Sequence, residues 1–203
     1  MGRLNQTQQE APREPVSDEL IDRCKRGDEL AWGRLVELTY REVYTLCLRI
    51  LRDPDDAAEV TQDAYVKAWR GLKSFRGDSQ FSTWLYRIAS NAAISRYRSR
   101  KRRQDHEVAS EDLDLSTRPG EASTEGAAGT RVEVDLLERA LATLPEHYRT
   151  AVLLRDVYGY PIEDIARQMK ASVPATKVRI HRGRKKLKEL VWPEDGADGG
   201  EQG

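Results

Sequence analysis

Apolar residues along this chain recur at intervals of three and four, the spacing of one face of a helix. No stretch alternates apolar and polar residues as a half-buried strand would. The clearest run is Ser172 to Val191, where Val173, Thr176, Ile180, Gly183, Leu187 and Leu190 share one face. Pro174, Val178, His181, Arg182 and Lys185 fall on the opposite face, flanked by Lys177 and Arg179. A shorter helical stretch, Tyr160 to Met169, precedes it, with Lys170 and Ala171 as a tight joint. This pattern predicts a helix-turn-helix whose second helix is buried on one side and basic on the other, a form suited to a DNA major groove.

The same reading extends upstream. Ser17 is placed to cap a short helix with Asp18 and Glu19 in its first turn and Gly27 beyond its end. A long helix from Glu29 carries an apolar stripe of Trp32, Val36, Tyr40, Val43, Cys47 and Ile50, and Asp53-Pro54 ends it. A third helix opens on Asp55, Asp56 and Glu59, acids that suit a helix N-terminus, and buries Ala57, Val60, Ala64, Ala68 and Leu72. Phe75 to Ser79 reads as a loop, after which Ser79 or Ser82 caps a helix holding Phe81, Trp84, Leu85, Ile88 and Ala92. In the second half, Val134, Leu137, Leu141 and Leu144 form one helix up to Pro145, and His147 to Tyr158 another.

The expected fold is all-α. Two small helical domains, 17–103 and 132–192, are joined by a flexible acidic linker at 104–131, between disordered tails at 1–16 and 193–203.

Formal net charge is zero, but its distribution is uneven. Trp84 to Arg103 holds seven Arg or Lys and no acid, and Arg167 to Lys188 holds nine and no acid. Gln104 to Asp135 holds nine acids and two arginines. Two local basic fields are therefore hidden in the total. No run approaches the roughly 18 apolar residues of a membrane span, and the N-terminus lacks a signal-peptide layout. Membrane insertion is not expected. Cys24 and Cys47 stand far apart without a CxxC pairing, and the acids at 55–63 sit on one helix only. Neither metal nor cofactor is expected. Three histidines and no cluster of catalytic residues argue against an enzyme.

Three motifs, in order, resemble the extracytoplasmic-function (ECF) sigma factors of the bacterial sigma-70 family. Asp56 to Trp69 looks like the segment that grips RNA polymerase, Phe75 to Asn91 like the promoter-opening segment, and Ser172 to Arg184 like the recognition helix. The resemblance covers about 17–103 and 132–191. It implies that domain 17–103 binds core polymerase and melts the minus-ten element, while domain 132–192 reads the minus-thirty-five element. Two other readings are a repressor or activator that binds DNA alone, and an adaptor or anti-sigma protein. The first domain's motifs have no purpose in the former, and the basic helix argues against the latter.

The resemblance also implies site residues. Asp56, Glu59, Gln62 and Asp63 fall at helical spacing and would dock on the β′ clamp helices of core polymerase, with Val60 and Tyr65 adding apolar contact. The loop Phe75, Arg76, Gly77, Asp78 and Ser79, with Asn91, would hold a flipped base of the minus-ten non-template strand. Arg87, Arg96, Tyr97, Arg98, Arg100 and Lys101 would meet phosphates or upstream duplex. Phe81 and Trp84 share their helix's core spacing and are read as core. Lys177, Val178, His181 and Arg182 map to the base-reading side, and Arg179, Arg184, Lys185 and Lys186 to phosphate contacts. Pro174 and Ala175 depart from the Gly and Thr usual in the family. Further partners implied are the polymerase β flap and an anti-sigma factor lodged between the domains. The expected location is the cytoplasm, where an anti-sigma factor can hold the chain at the membrane.

Overall fold

The computed structural model describes residues 16–108 and 130–192. Eight α-helices account for nearly all of these residues. Helix α1 (Asp18–Lys25) is capped by Ser17, whose hydroxyl accepts from the Leu20 N–H, and Gly27 takes a positive φ of 88° just beyond its end. Helix α2 (Glu29–Leu51) is capped by Asp28, and Arg52 closes it in the left-handed conformation. Asp53 then caps α3 (Pro54–Gly71), with proline in the first turn, where its missing N–H costs nothing. A single 3-10 turn, Leu72–Ser74, leads through an irregular loop to α4 (Phe81–Val108).

Helices α2, α3 and α4 pack against one another in all three pairings, and α1 closes the end of α2. The buried stripe of α2 is Ala31, Leu35, Thr39, Val43, Leu46, Cys47, Ile50 and Leu51. It is rotated from the expected one: Trp32 and Val36 are half-buried and Tyr40 is exposed. The α3 stripe is the expected one, widened by Thr61 and Tyr65. Helix α4 begins at Phe81, so Ser82 lies inside its first turn, and the Trp84 N–H bonds to the Gln80 carbonyl. Neither proposed serine stands at the start. Residues 104–108 continue α4, and Thr130 and Arg131 begin α5 (Thr130–Thr143), so the expected linker is shorter at both ends. The remainder of that linker, residues 1–15 and the tail after Trp192 lie outside the described residues.

In the second half, α6 (Glu146–Val152) runs on into a π turn, Leu153–Val157, where a single helix was expected. Helix α7 (Ile162–Gln168) and α8 (Val173–Val191) form the helix-turn-helix. Its joint includes Lys170 at a φ of 48°. Ser172 caps α8 by accepting from the Ala175 N–H, and Pro174 sits in the first turn as expected. Helix α8 packs on α5, α6 and α7. Gly183 makes the α6 crossing possible. A Cβ there would stand 2.6 Å from Val152 Cγ2 and 3.3 Å from the Tyr148 carbonyl oxygen. Of the expected α5 stripe, Leu141 and Leu144 are buried, while Val134 and Leu137 are exposed.

The two helical units are docked. Ala151, Leu154, Tyr160, Ile165 and Ile180 of the second unit belong to one continuous core with α1 to α4. A smaller core of Ala140, Leu141, Leu144, Val152, Leu153 and Leu187 lies within the second unit. This docking could not be read from helical spacing, which reports that a face is apolar but not which partner covers it.

Candidate polymerase and nucleic-acid surfaces

The α8 face is built as expected. Thr176, Ile180, Gly183 and Leu187 are buried, with Thr176 also donating back to the Ser172 carbonyl oxygen at 3.0 Å. That pins the opposite side outward. Lys177, Val178, His181, Arg182 and Lys185 are exposed, and Arg179 is half-exposed. Val178 is 47% exposed, an apolar residue amid cations. Arg184, expected at a phosphate, is engaged within the fold. Its guanidinium forks onto the Asp156 carboxylate, Nε to Oδ2 at 2.9 Å with a second bond from Nη2, so it props α8 on the π turn.

On the other unit, the loop before α4 exposes Arg76, Gly77 and Asp78, and Gly77 needs its positive φ of 82° to turn the chain. Phe75 is a correction to the sequence reading. It is 9% exposed and packs edge-on against Phe81 at 5.7 Å and tilted on Trp84 at 5.3 Å. It anchors the loop from below and offers no ring to a base. Asn91 is exposed on α4, one turn beyond Arg87.

Two further arginines of α4 are engaged within the fold. Arg96 pairs with Glu59 and, at 3.5 Å, with Asp56. Arg100 lies 3.1 Å from Asp56 and 3.5 Å from Asp53, and donates to the Leu51 carbonyl oxygen at 3.2 Å. These pairs bolt α4 to the start of α3. They also answer the basic run's charge locally, because three acids at a helix N-terminus face arginines one helix away. Tyr97 is half-buried against the core beside Glu146, and its phenol is pushed up by that burial. Of the expected cationic set, Lys101 is exposed, while Arg87 and Arg98 make the contacts described below.

The polymerase-docking set divides in the same way. Gln62 and Asp63 are exposed on α3. Val60 is 2% exposed and offers no apolar surface to a partner, while Tyr65, 7% exposed, offers it only where it lines the groove described below. Tyr65 instead shares a 2.7 Å hydrogen bond with Thr39, and its phenol is pushed up to about 12, chiefly by burial. Asp56 and Glu59 are held by the α4 arginines. The apolar surface on this side is a groove between α2 and α3 lined by Trp32, Tyr65, Val66 and Trp69, with Glu29 and Arg70 at its edges. Val66 is 49% and Trp69 38% exposed. Residues 66 and 69 lie three apart beside the buried stripe, a signal that spacing alone assigns equally to core.

The contacts between the units complete the picture. Arg49 of α2 pairs with Glu138 of α5 and reaches Tyr158, while Arg52 donates to the Ala142 carbonyl oxygen. Arg149 is 5% exposed and donates to the carbonyl oxygens of Leu144 at 2.9 Å and Ile50 at 3.1 Å. Burial, with Arg52 nearby, lowers its guanidinium to about 10. Tyr86 meets Tyr158 edge to face at 5.5 Å and donates to Glu42 at 2.6 Å. Arg87 pairs with Asp164 of α7 at 2.7 Å, the Ser90 hydroxyl donates to Gln168 Oε1 at 3.1 Å, and Arg98 donates to the Gln168 carbonyl oxygen at 2.7 Å. Asn91 lines a cleft with Arg87, Asp164, Arg167 and Gln168. Sequence reasoning missed the contacts between the units, because each joins residues dozens of positions apart. Among the described residues there is no group of His, Cys, Asp and Glu able to hold a metal ion, and no helix long and apolar enough to cross a membrane.

Residues 35–103 match the family model of sigma-70 region 2, and residues 135–187 that of sigma-70 region 4. The chain is 35% identical to the RNA polymerase sigma-H factor of Pseudomonas aeruginosa, over 86% of this chain and 93% of that one. It is 34% identical to the ECF RNA polymerase sigma-E factor of Escherichia coli K12, over 89% and 97%. It is 32% identical to the ECF RNA polymerase sigma factor SigW of Bacillus subtilis, over 84% and 94%. Two solved structures share the fold. One is the sigma factor RpoE with the anti-sigma factor NepR from Bartonella quintana, at a TM-score of 0.55 and 23% identity over 80% of this chain and 97% of that one. The other is CnrH with the cytosolic domain of CnrY, at a TM-score of 0.53 and 24% identity over 87% and 97%.

Proposed function

The chain belongs to the ECF group of sigma-70 family RNA polymerase sigma factors, which direct polymerase to promoters, and on that premise we propose how its surfaces divide the work. Helix α8 reads the minus-thirty-five element in duplex DNA. The observation that carries this is the outward row Lys177, Val178, His181 and Arg182, set opposite a fully buried stripe. Cations can donate to guanine O6 and N7, and an apolar valine suits a thymine methyl group. Arg179 and Lys185 lie beside the row and hold phosphates.

The loop Arg76–Ser79, with Asn91, Arg87, Arg98 and Lys101, takes the minus-ten non-template strand as the duplex opens. Asparagine offers both donors and an acceptor to an extruded base. Core polymerase docks its β′ clamp helices on α3, where Gln62 and Asp63 supply polar contacts and the Trp32–Val66–Trp69 groove supplies apolar ones. The second unit meets the β flap. Polymerase carries out the chemistry, and the sigma factor needs no cofactor. The chain works in the cytoplasm beside polymerase. One similar solved structure holds a sigma factor with an anti-sigma factor, and we infer an anti-sigma partner here too.

The test is promoter-dependent transcription with purified core polymerase. Specific initiation is expected only when this protein is added. An operator footprint by the protein alone, with no specific initiation, would favour a stand-alone repressor. Asn91→Ala is expected to leave polymerase affinity unchanged and to lower open-complex formation at least about tenfold, the cost of about 1.4 kcal/mol in base capture. Equal loss of both would remove Asn91 from that role.

A further inference from the structure

One corner of the second unit gathers cations that no acid answers. Arg179 and Lys186 stand about two turns apart on one flank of α8, either side of Gly183, where α6 crosses. Lys186 lies over the Tyr148 ring, its Nζ 5.9 Å from the centroid, and the His147 ring lies 4.1 Å from that of Tyr148. His147 and Lys186 are exposed, and Arg179 is half-exposed. Lys101 of α4 approaches the same corner. Among the described residues, no acid is ion-paired with Arg179, Lys186 or Lys101. Glu146, next to His147, takes the Thr150 hydroxyl at 3.4 Å and is already shared among Arg149, Lys101 and Arg98. Arg52 of α2 acts on Arg149, and Asp156 of the π turn is held by Arg184. The His147 imidazole is therefore set among like charges. It is lowered below the ordinary histidine value, first by partial burial and then by Arg179, Lys101 and Lys186, so it is largely uncharged at neutral pH.

A helix that reads the major groove lies between two phosphate backbones, so its flanks face phosphates while its crest faces bases. Lys177, Val178, His181 and Arg182 form the crest of α8. One flank carries Arg184, which is already forked onto Asp156. The other carries Arg179 and Lys186, with His147 beside them. We propose that His147 is a further DNA-binding residue of this chain: with Arg179 and Lys186 it clamps a backbone phosphate beside the minus-thirty-five duplex. This rests on the reading of α8 as the duplex reader. A phosphate supplies the negative charge that the corner lacks, and it favours the imidazolium over the neutral ring. The imidazole thus takes up a proton from solvent as DNA binds. Binding strengthens as pH falls through the window between the lowered free value and the higher bound one.

The test uses holoenzyme assembled from the full-length chain and core polymerase. Its DNA is a labelled duplex from a promoter that the holoenzyme transcribes, cut upstream of the minus-ten element so that no strand is opened. Filter binding is measured against salt at about pH 6 and about pH 8. His147→Gln keeps a polar side chain but cannot take the charge. The ratio of wild-type to His147→Gln affinity is expected to be at least about threefold larger at the lower pH, out of about tenfold for each unit by which the imidazole rises on binding. The salt slope of the variant is expected to be shallower there by about 0.9, the share of one phosphate. His147→Lys, a fixed cation, is expected to restore that slope. Equal loss at both pH values, not reversed by lysine, marks a fold defect and counts against the clamp. If His147→Gln follows the wild type in affinity and slope throughout, while Lys177→Ala and Arg182→Ala still weaken binding, the clamp is wrong and the α8 reading survives. If none of these variants matters, that reading falls and the proposal with it. Inorganic tripolyphosphate separates DNA from a free anion. If the full-length chain binds tripolyphosphate through His147 while duplex binding is indifferent to that residue, the corner is a small-anion site and the proposal is overturned.

Discussion

The outer faces of α8 and α4 both carry cations, yet they stand in opposite conditions. Lys177 and Arg182 of α8 are exposed, and behind them a stripe of Thr176, Ile180, Gly183 and Leu187 is buried. On α4, Arg96 and Arg100 are spent on the acids of α3, while Arg87 and Arg98 are spent on α7. The difference teaches that a basic run in a sequence measures potential, not availability. A cation is available to a ligand only where the fold has not already supplied an acceptor. Duplex reading and strand capture therefore begin from different states of the same molecule.

The sharpest way to break the comparison is at α8 itself. Lys177→Ala and Arg182→Ala are each expected to cost about 1–3 kcal/mol in binding to minus-thirty-five duplex, if each meets a base edge. A phosphate contact would instead lower the salt dependence and spare sequence preference. Filter binding at several salt concentrations separates the two. Arg184→Ala, by contrast, should act mainly through lost support from Asp156, and its effect should appear in thermal stability as well as in binding.

Gly183 tests what holds the open face in place. A methyl group there would meet Val152 at 2.6 Å and the Tyr148 carbonyl oxygen at 3.3 Å, and backbone cannot yield as a side-chain end can. Gly183→Ala is expected to cost about 1–3 kcal/mol of stability as α8 lifts from α6. Denaturant unfolding of the full chain would measure it. An unchanged midpoint would mean that α8 shifts without penalty, and that its buried stripe does not determine its outward face.

Much of this was legible beforehand. The helix-turn-helix, the cap at Ser17, the break at Asp53-Pro54 and the sides of α8 follow from local spacing and cap chemistry, which act within a few residues. The family resemblance rested on the same local motifs. What was not legible is long-range. Val60, Tyr65 and Phe75 were assigned to partners because their motifs carry that role, yet burial depends on which helix lands on them. The partners of Arg96 and Arg100 come from another helix, and those of Arg87 and Arg98 from another domain. Charge counted along the chain shows neither.

Arg149 sharpens the closed side of the comparison. Its guanidinium is buried between the units and donates to one carbonyl of each. Arg149→Met keeps an apolar stem of similar reach but strands both acceptors, at a cost of about 1–3 kcal/mol. The expected readout is a lower midpoint together with a larger radius of gyration. A lower midpoint at unchanged radius would assign Arg149 to the second unit alone and leave the Ile50 contact without consequence.

The smallest expected effect lies next to it, at Glu146. Its carboxyl is pushed above the ordinary range, first by burial, while Arg149, Thr150, Lys101 and Arg98 pull the other way without cancelling it. The folded chain thus holds this proton more tightly than the unfolded chain does. By linkage, stability falls as pH rises from the unfolded value through the raised folded one, and the penalty is fully present at neutral pH. Glu146→Gln removes the charge but keeps an oxygen for the Thr150 hydroxyl, which donates to it at 3.4 Å. The variant is therefore expected to be slightly more stable than the parent at pH 7 and indistinguishable from it once the pH is below the unfolded carboxyl value. Thermal melts across that range decide the matter. If Glu146→Gln is instead less stable at neutral pH, the surrounding cations outweigh burial, and the contact between α4 and α6 is an electrostatic seam rather than a desolvated one.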